Sequence, residues 1–187
     1  MIGYAFCGSF CTLEQSVKQL EALLALGNEV QPIMSETVYS TDTRFGSAAS
    51  WVTRITSLCG RPIIHTVTEA EPLGPRSPLD ALLIAPCTGN TLAKLATGIT
   101  DSAVCMAAKA HLRTDRPLII ALASNDAMSA NLKNIGTLLT RKAVYFVPMQ
   151  QDDPCRKPHS LVADFSALEQ AFDAAKEGKQ LRPLFTI

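Results

Sequence analysis

Residues 81–98, ALLIAPCTGNTLAKLATG, decide the fold class. An apolar run, ALLIAP, meets a cluster of small polar residues, and a helix-like stretch follows it. The apolar residues after the cluster recur at helical spacing: Leu92, Leu95, Ala96 and Ile99. An apolar run without alternation is typical of a strand that is buried on both faces. The stretch therefore predicts a strand–loop–helix unit in which helices cover both faces of a parallel sheet.

The same alternation of apolar runs and amphipathic stretches continues along the chain. Further strands are predicted at IGYAF, EVQPIMS, PIIH, PLIIALA and AVYFV, the last strand of the sheet. Helices are predicted at 12–26, around Trp51 and Ile55, around Val104 and His111, from SNDAMSAN to Arg141, and at 162–176. The Pro-rich 69–78 stretch predicts irregular structure. We expect one α/β domain over residues 1–187, with a three-layer, Rossmann or flavodoxin-like parallel sheet and helices on both faces.

Composition excludes several classes of function. Of the 187 residues, 47% are hydrophobic and 18% are charged, which is typical of a well-filled globular protein. Lys plus Arg and Asp plus Glu each total 17, so no basic excess indicates a nucleic-acid partner. No apolar run approaches the roughly 20 residues of a membrane span, and no secretory leader is visible, so we expect a cytoplasmic protein. The scattered cysteines and histidines lack metal-ligand spacing, so no metal is expected.

Small polar residues follow four of the predicted strands, as CGSFCT, SETVYST, PCTGNT and SNDA. Ligands of parallel sheets bind beyond the carboxyl ends of the strands, where such loops meet. Gly8 and Ser9 precede a helix, whose N-terminus attracts phosphate, although a Gly-Ser pair also serves an ordinary turn. Neither G-x-G-x-x-G nor a P-loop is present. Ser35 and Thr37 either complete a phosphate site or form a routine turn.

The PCTGNT cluster contains more polar residues than a helix cap needs. Thr88, Asn90 and Thr91 occur together, whereas capping needs one such residue. Gly89 is expected to adopt a backbone conformation that other residues resist. A dianionic guest requires cations, and Arg44 and Lys157 are the candidates. For each of these two residues, a solvated surface charge remains the alternative.

The stretch APCTGNTLAKLATGITD resembles the Pro-x-Ser-x-Asn-Thr loop and Gly-x-x-Asp segment of the flavoprotein superfamily, which includes the homo-oligomeric flavin-containing cysteine decarboxylases. The resemblance implies FMN as the cofactor and a homo-oligomer. The phosphate role would pass to Gly8, Ser9 and Phe10 of the GSF turn, with Ser35 and its neighbour Thr37. The role beside the flavin ring would pass to Pro86, Thr88, Gly89, Asn90 and Thr91.

A narrower resemblance extends from about residue 3 to residue 183 and includes STDTRFG, SNDA and YFVPMQQD. These motifs are similar to one subunit of an oxidoreductase of spore-forming bacteria. That resemblance implies a mother-cell cytoplasmic protein whose partner subunit uses NAD(P), and a dihydropyridine dicarboxylate as the substrate. Asn90 and Arg44 would act in catalysis, and Arg44 and Lys157 would bind the substrate. A non-catalytic scaffold with a vestigial flavin pocket and a flavoprotein decarboxylase remain the alternatives.

Overall fold

Five parallel strands form the centre of the sheet in the computed structural model, which describes residues 1–76 and 79–186. They are β1 (Ile2–Phe6), β2 (Val30–Met34), β3 (Leu82–Cys87), β4 (Leu118–Ser124) and β5 (Val144–Phe146). The order is β2-β1-β3-β4, and β5 pairs with β4. The chain leaves β1 toward β2 and then returns to the other side of β1 for β3. This reversal marks the position where parallel sheets bind ligands, at the carboxyl ends of β1 and β3.

Eight α-helices surround the sheet in the described residues. They are α1 (Phe10–Ala25), α2 (Glu36–Ser40), α3 (Ala48–Cys59), α4 (Val67–Ala70), α5 (Gly89–Thr97), α6 (Ala103–Leu112), α7 (Leu132–Leu139) and α8 (Leu168–Lys176). A 3-10 turn, Phe165–Ala167, precedes α8. Buried side chains of α1, α3 and α8 share one core, and those of α5, α6 and α7 share the other. None of the helices described is long and apolar enough to cross a membrane.

The strands supply both cores by simple alternation. In β3, Leu82 and Ile84 face the α5–α7 side, whereas Leu83 and Ala85 face the α1–α3 side. Every residue of β3 is buried, as expected of a strand covered on both faces. The predicted three-layer α/β fold is therefore confirmed.

The last part of the sheet differs from the prediction. AVYFV forms β5, but two short strands follow it, β6 (Met149–Gln150) and β7 (Leu161–Ala163). Both pair in antiparallel fashion, β7 with β4 and β6 with β7. Residues 151–160 contain no helix, and a parallel crossover needs a longer connection than this one. The predicted helix at 162–176 consequently starts only at Leu168.

Four smaller predictions also need correction. PIIH contributes one isolated bridge, Ile33 to Ile64, and does not form a strand. The 69–78 stretch begins in α4 and then turns, and its Ser77 and Pro78 lie outside the described residues. The helix predicted from SNDAMSAN begins only at Leu132, because residues 125–131 form turns. Ile99 lies beyond the end of α5 and is 49% exposed, so it does not belong to the core.

Candidate functional site

A cavity of about 680 Å³ opens at the carboxyl ends of β1, β3 and β4. This volume lies within the range of about 300–1,000 Å³ that is typical of small-molecule sites. The loops after the three strands line it, together with the turn between α2 and α3 and the β6–β7 connection. Of the residues predicted to bind a cofactor, the cavity brings together Gly8, Ser9, Phe10, Thr88, Gly89 and Asn90. Both predicted substrate-binding residues, Arg44 and Lys157, also line it.

Four predicted cofactor residues do not line this cavity, and each has another role. The Ser35 hydroxyl accepts a hydrogen bond from the Val38 N–H and caps α2. Thr37 turns its methyl group toward Gly8, where a Cβ would lie 3.3 Å from Thr37 Cγ2.

The other two, Pro86 and Thr91, are buried beneath the lining. The Pro86 carbonyl accepts from the Cys7 N–H at 3.1 Å. The Thr91 hydroxyl donates to Cys7 Sγ at 3.4 Å. Both residues therefore position the β1 and β3 loops, and neither presents a polar group to the cavity.

The N-terminus of α1 faces the cavity without a side-chain cap. Ser9 occupies the N-cap position, yet its side chain accepts no hydrogen bond from a backbone N–H of the first turn. Its hydroxyl instead accepts from the Thr12 hydroxyl at 3.1 Å. The helices α2, α3, α5 and α6 all begin with a capping side chain, namely Ser35, Ser47, Thr88 and Ser102. The first turn of α1, which also lacks acidic residues, therefore presents N–H groups and a positive dipole end to the cavity.

Gly89 is needed because α5 packs closely on neighbouring side chains at this position. The unusual backbone conformation expected for Gly89 is not observed. Its φ is not among the positive values found at other glycines of the chain. A Cβ at this position would lie 2.7 Å from Asp126 Oδ1 and 2.7 Å from Asn131 Nδ2, and it would also overlap the Ser124 hydroxyl. The missing side chain thus lets the start of α5 pack directly on a polar cluster after β4.

That cluster holds one carboxylate at the cavity wall. The Ser124 hydroxyl donates to Asp126 Oδ1, and Asn131 Nδ2 donates to Asp126 Oδ2 at 2.9 Å. Buried Asn134 in turn donates to Asn131 Oδ1 at 2.8 Å. The hydrogen bond from Ser124, followed by that from Asn131, lowers the pKa of Asp126, so its carboxyl is ionised and fixed. Sequence reasoning noted the SNDA loop but missed Asp126, because its contacts with Asn131, just before α7, and with Gly89 of α5 depend on the fold.

The two cations of the cavity differ in their partners. Lys157 Nζ lies 2.5 Å from Asp152 Oδ2, and this contact raises the pKa of Lys157 and lowers that of Asp152. Arg44 has no carboxylate within ion-pair distance in the part of the chain that the structure describes, and its guanidinium lies over the Phe45 ring, 4.8 Å from the centroid. Arg44 is therefore the better placed of the two to bind an incoming anion.

Comparison with known proteins identifies the family of the chain. The sequence model of a family described as Flavoprotein matches residues 2–170. The chain belongs to the Flavoprotein family. The family expected from the APCTGN motif is therefore confirmed.

Individual flavoproteins resemble the chain over nearly its whole length. The B subunit of dipicolinate synthase from Bacillus subtilis (strain 168) is 45% identical over 183 residues, which cover 98% of this chain and 92% of that protein. The crystal structure of the dipicolinate synthase B subunit from Bacillus halodurans C is 41% identical, with a TM-score of 0.91, and the match covers 100% of this chain and 95% of that one. The narrower resemblance is thereby confirmed. The FMN-dependent cysteine decarboxylase SpaF, at 24% identity and a TM-score of 0.67 over 93% of this chain and 95% of that one, shares the fold.

The cavity contains groups that suit a phosphorylated guest. Gly8 lines it beside the uncapped N-terminus of α1, whose N–H groups suit a phosphate, and a Cβ at Gly8 would lie against Thr37 and Phe10. Asn90 supplies an exposed amide group to one wall, whereas the hydroxyl of neighbouring Thr88 caps α5 and donates to the Thr91 hydroxyl. Within residues 1–76 and 79–186, no cluster of three His, Cys, Asp or Glu side chains is arranged to hold a metal ion.

The thiols near the site divide into buried and accessible groups. Cys7 and Cys87 are buried, and burial raises the pKa of Cys7 to about 12 and that of Cys87 well above its ordinary value. Both thiols therefore stay protonated at neutral pH and do not act as nucleophiles. Cys11 is exposed and lines the cavity.

Proposed function

We propose that this chain acts as the B subunit of a dipicolinate synthase and binds FMN in the cavity at the carboxyl ends of β1, β3 and β4. Together with the nicotinamide-dependent A subunit of that enzyme, it would oxidise a dihydrodipicolinate to dipicolinate in the mother-cell cytoplasm of a sporulating bacterium. The observation that carries the cofactor assignment is the uncapped α1 N-terminus at the cavity wall. The identity of 45% to a B subunit supports the reaction.

The phosphate of FMN would lie at the first turn of α1. The phosphate would accept hydrogen bonds from the N–H groups beyond Ser9, next to Gly8 in the wall of the cavity. A helix N-terminus stabilises a negative charge by about 0.3–1 kcal/mol, and by up to about 2 kcal/mol when it is partly buried. The absence of acidic residues in this turn leaves that field uncompensated.

The substrate would lie between the flavin and the turn between α2 and α3. Arg44 would bind one carboxylate of the substrate through bidentate hydrogen bonds. Lys157 would contribute less, because its charge is partly neutralised by Asp152. Asn90 is exposed at the start of α5 and would donate its side-chain amide to the ring side of the cavity. A bound flavin would supply redox chemistry, and the NAD(P)⁺ of the A subunit would be the final acceptor of the hydride that the substrate loses, whereas the residues of this chain would bind and orient the ring.

Activity of the reconstituted pair tests this proposal. The purified chain and the A subunit should form dipicolinate in the presence of NAD(P), and Arg44→Ala or Asn90→Ala should lower the yield at equal amounts of folded protein. Lys109→Ala, on α6 and outside this cavity, is the matched control. If omission of the chain abolishes product while both site variants retain full turnover, the chain acts as a scaffold and our site assignment is wrong. Release of CO₂ from a substrate carboxylate would instead indicate a decarboxylase.

Assembly is a second part of the proposal. The flavoprotein resemblance implies a homo-oligomer, and large apolar side chains are exposed at Leu26, Ile99 and Leu132. Light scattering of the purified chain should give a multiple of the 20.1 kDa chain mass. A monomer at micromolar concentration would contradict this part, and the cofactor assignment would be unaffected.

A further inference from the structure

The connection between α2 and α3 is a tight turn that presents two side chains at the mouth of the cavity. The Thr43 N–H donates to the Gly46 carbonyl at 3.0 Å, and the Gly46 N–H donates back to the Thr43 carbonyl at 3.1 Å. The Phe45 N–H donates to Thr43 Oγ1 at 3.2 Å. Three hydrogen bonds within four residues leave the tip of the turn, Arg44 and Phe45, little freedom to rearrange.

Packing beneath the turn restricts it further. Gly46 has a φ of +140°, and a Cβ there would lie only 2.8 Å from Trp51 Nε1. Trp51 belongs to α3 and is 6% exposed. The N-terminus of α3 is also tied to the connection, because the Ala48 N–H donates to Asp42 Oδ1 at 2.8 Å. The turn is therefore held against a buried indole by backbone and side-chain contacts.

The tip combines a flat apolar surface with a cation that lacks a carboxylate partner among the described residues. Phe45 lines the cavity and remains 42% exposed. The Arg44 guanidinium lies over its ring at 4.8 Å from the centroid, where the ring stabilises the cation and leaves its N–H groups free to donate. Because the guanidinium covers one face of the Phe45 ring, a planar guest that carries carboxylates can pack on the edge or the other face of that ring and pair a carboxylate with the outer N–H groups of Arg44.

We infer that Phe45 is a specificity-determining residue, whose ring selects flat, aromatic or nearly aromatic dicarboxylates over flexible ones of the same charge. The identity of the guest as a pyridine dicarboxylate rests on the proposed function, whereas the geometry of the Arg44–Phe45 tip does not. A flexible aliphatic dicarboxylate gains the ion pair with Arg44 but no stacking. Aromatic pairs contribute about 0.5–1.5 kcal/mol beyond the buried area, which corresponds to a preference of about two- to tenfold for the flat guest.

Binding to the chain alone, without FMN or the A subunit, tests this inference. Isothermal titration calorimetry would measure the Kd of dipicolinate and of glutarate, with a chelator present because dipicolinate binds divalent cations. Phe45→Leu should weaken dipicolinate binding by about two- to tenfold and leave glutarate binding unchanged. Phe45→Tyr should bind dipicolinate as tightly as the wild type, and Arg44→Gln should weaken the binding of both ligands. Phe185→Leu, at a similarly exposed phenylalanine outside the cavity, is the matched control.

The chain contains a reporter beneath this turn. Trp51 is its single tryptophan and lies against Gly46. Dipicolinate should therefore change the indole emission of the wild type, and the change should be smaller in Phe45→Leu. The inference is overturned if dipicolinate does not bind the folded wild type, if Phe45→Leu leaves its Kd unchanged, or if Phe45→Leu weakens glutarate equally. Failure of FMN to bind would refute the cofactor assignment alone, because no flavin takes part in this measurement.

Discussion

Replacement of Gly89 by alanine should destabilise the protein, although alanine usually favours a helix. Gly89 is the first residue of α5, and its Cα packs on the polar cluster that holds Asp126. An added methyl group would meet Asp126 Oδ1 and Asn131 Nδ2 at 2.7 Å, well inside van der Waals contact. The cluster must then move away from α5 or lose a hydrogen bond.

The expected magnitude follows from these contacts. Overpacking of a close-packed site costs about 1–3 kcal/mol, and a lost hydrogen bond costs about 1 kcal/mol. The reduced freedom of the unfolded chain offsets about 0.4–1 kcal/mol of this loss. Gly89→Ala should therefore lower the free energy of unfolding by about 2 kcal/mol. Gly136 in α7 has no heavy atom within 4 Å of a built Cβ, so Gly136→Ala should raise it by about 0.4–1 kcal/mol.

Urea and thermal denaturation, both followed by circular dichroism, measure the stability of the two variants against that of the wild type. For a chain of this size, each kcal/mol corresponds to about 2–4 °C in Tm, so the two variants should melt several degrees apart on opposite sides of the wild type. Equal stability of Gly89→Ala and Gly136→Ala would refute the close approach of α5 to the Asp126 cluster.

Three further predictions concern a thiol, a histidine and the turn at the cavity mouth. Cys11 should react with a thiol reagent in the native state, and mass spectrometry measures the labelling. FMN should protect Cys11 from the reagent but should not protect Cys155, which is also exposed. Equal protection of the two thiols would place the flavin elsewhere. Burial lowers the pKa of His111, so the unfolded state takes up a proton on this ring at a higher pH than the folded state does. The urea midpoint should therefore decline as the pH falls through about 6.5, and His111→Gln should flatten that decline. Gly46→Ala should lower the free energy of unfolding by about 1–3 kcal/mol, because the positive φ and the contact with Trp51 both oppose a side chain. The same substitution should weaken dipicolinate binding. An unchanged melting temperature would contradict this packing.

The central layers of the fold were predictable because their signals are local. Apolar runs such as ALLIAP and PLIIALA need no knowledge of their neighbours to indicate strands that are covered on both faces. β6 and β7 were not predictable, since they contain only two and three residues and depend on pairing with the end of β4. The strand predicted at PIIH does not form, because its apolar residues pack on the core and its only bridge in the described residues joins Ile64 to Ile33.

The candidate site was predictable where the fold alone brings loops together. Gly8, Ser9 and Asn90 were expected at one place because the carboxyl ends of adjacent parallel strands meet, and all three line the cavity. Ser35 follows the same rule, but its hydroxyl is used to cap α2. Phe45 belongs to the STDTRFG motif, but the motif assigned it no role, because its position at the cavity depends on a turn that packs against α3.

The central claim is that the uncapped N-terminus of α1 holds the phosphate of a flavin. Ser9→Asp tests it, because aspartate is a favourable N-cap and should preserve or raise stability, whereas its charge repels a phosphate at the same turn. Ser9→Ala, which adds neither a charge nor a capping group, is the neutral control. The measurement is the Kd of FMN and of riboflavin, which lacks the phosphate, by quenching of flavin fluorescence.

The account predicts that the wild type and Ser9→Ala bind FMN more tightly than riboflavin. Ser9→Asp should lose this preference while its riboflavin affinity and melting temperature are maintained. Equal affinity of the wild type for FMN and riboflavin, or an undiminished FMN affinity in Ser9→Asp, would contradict it.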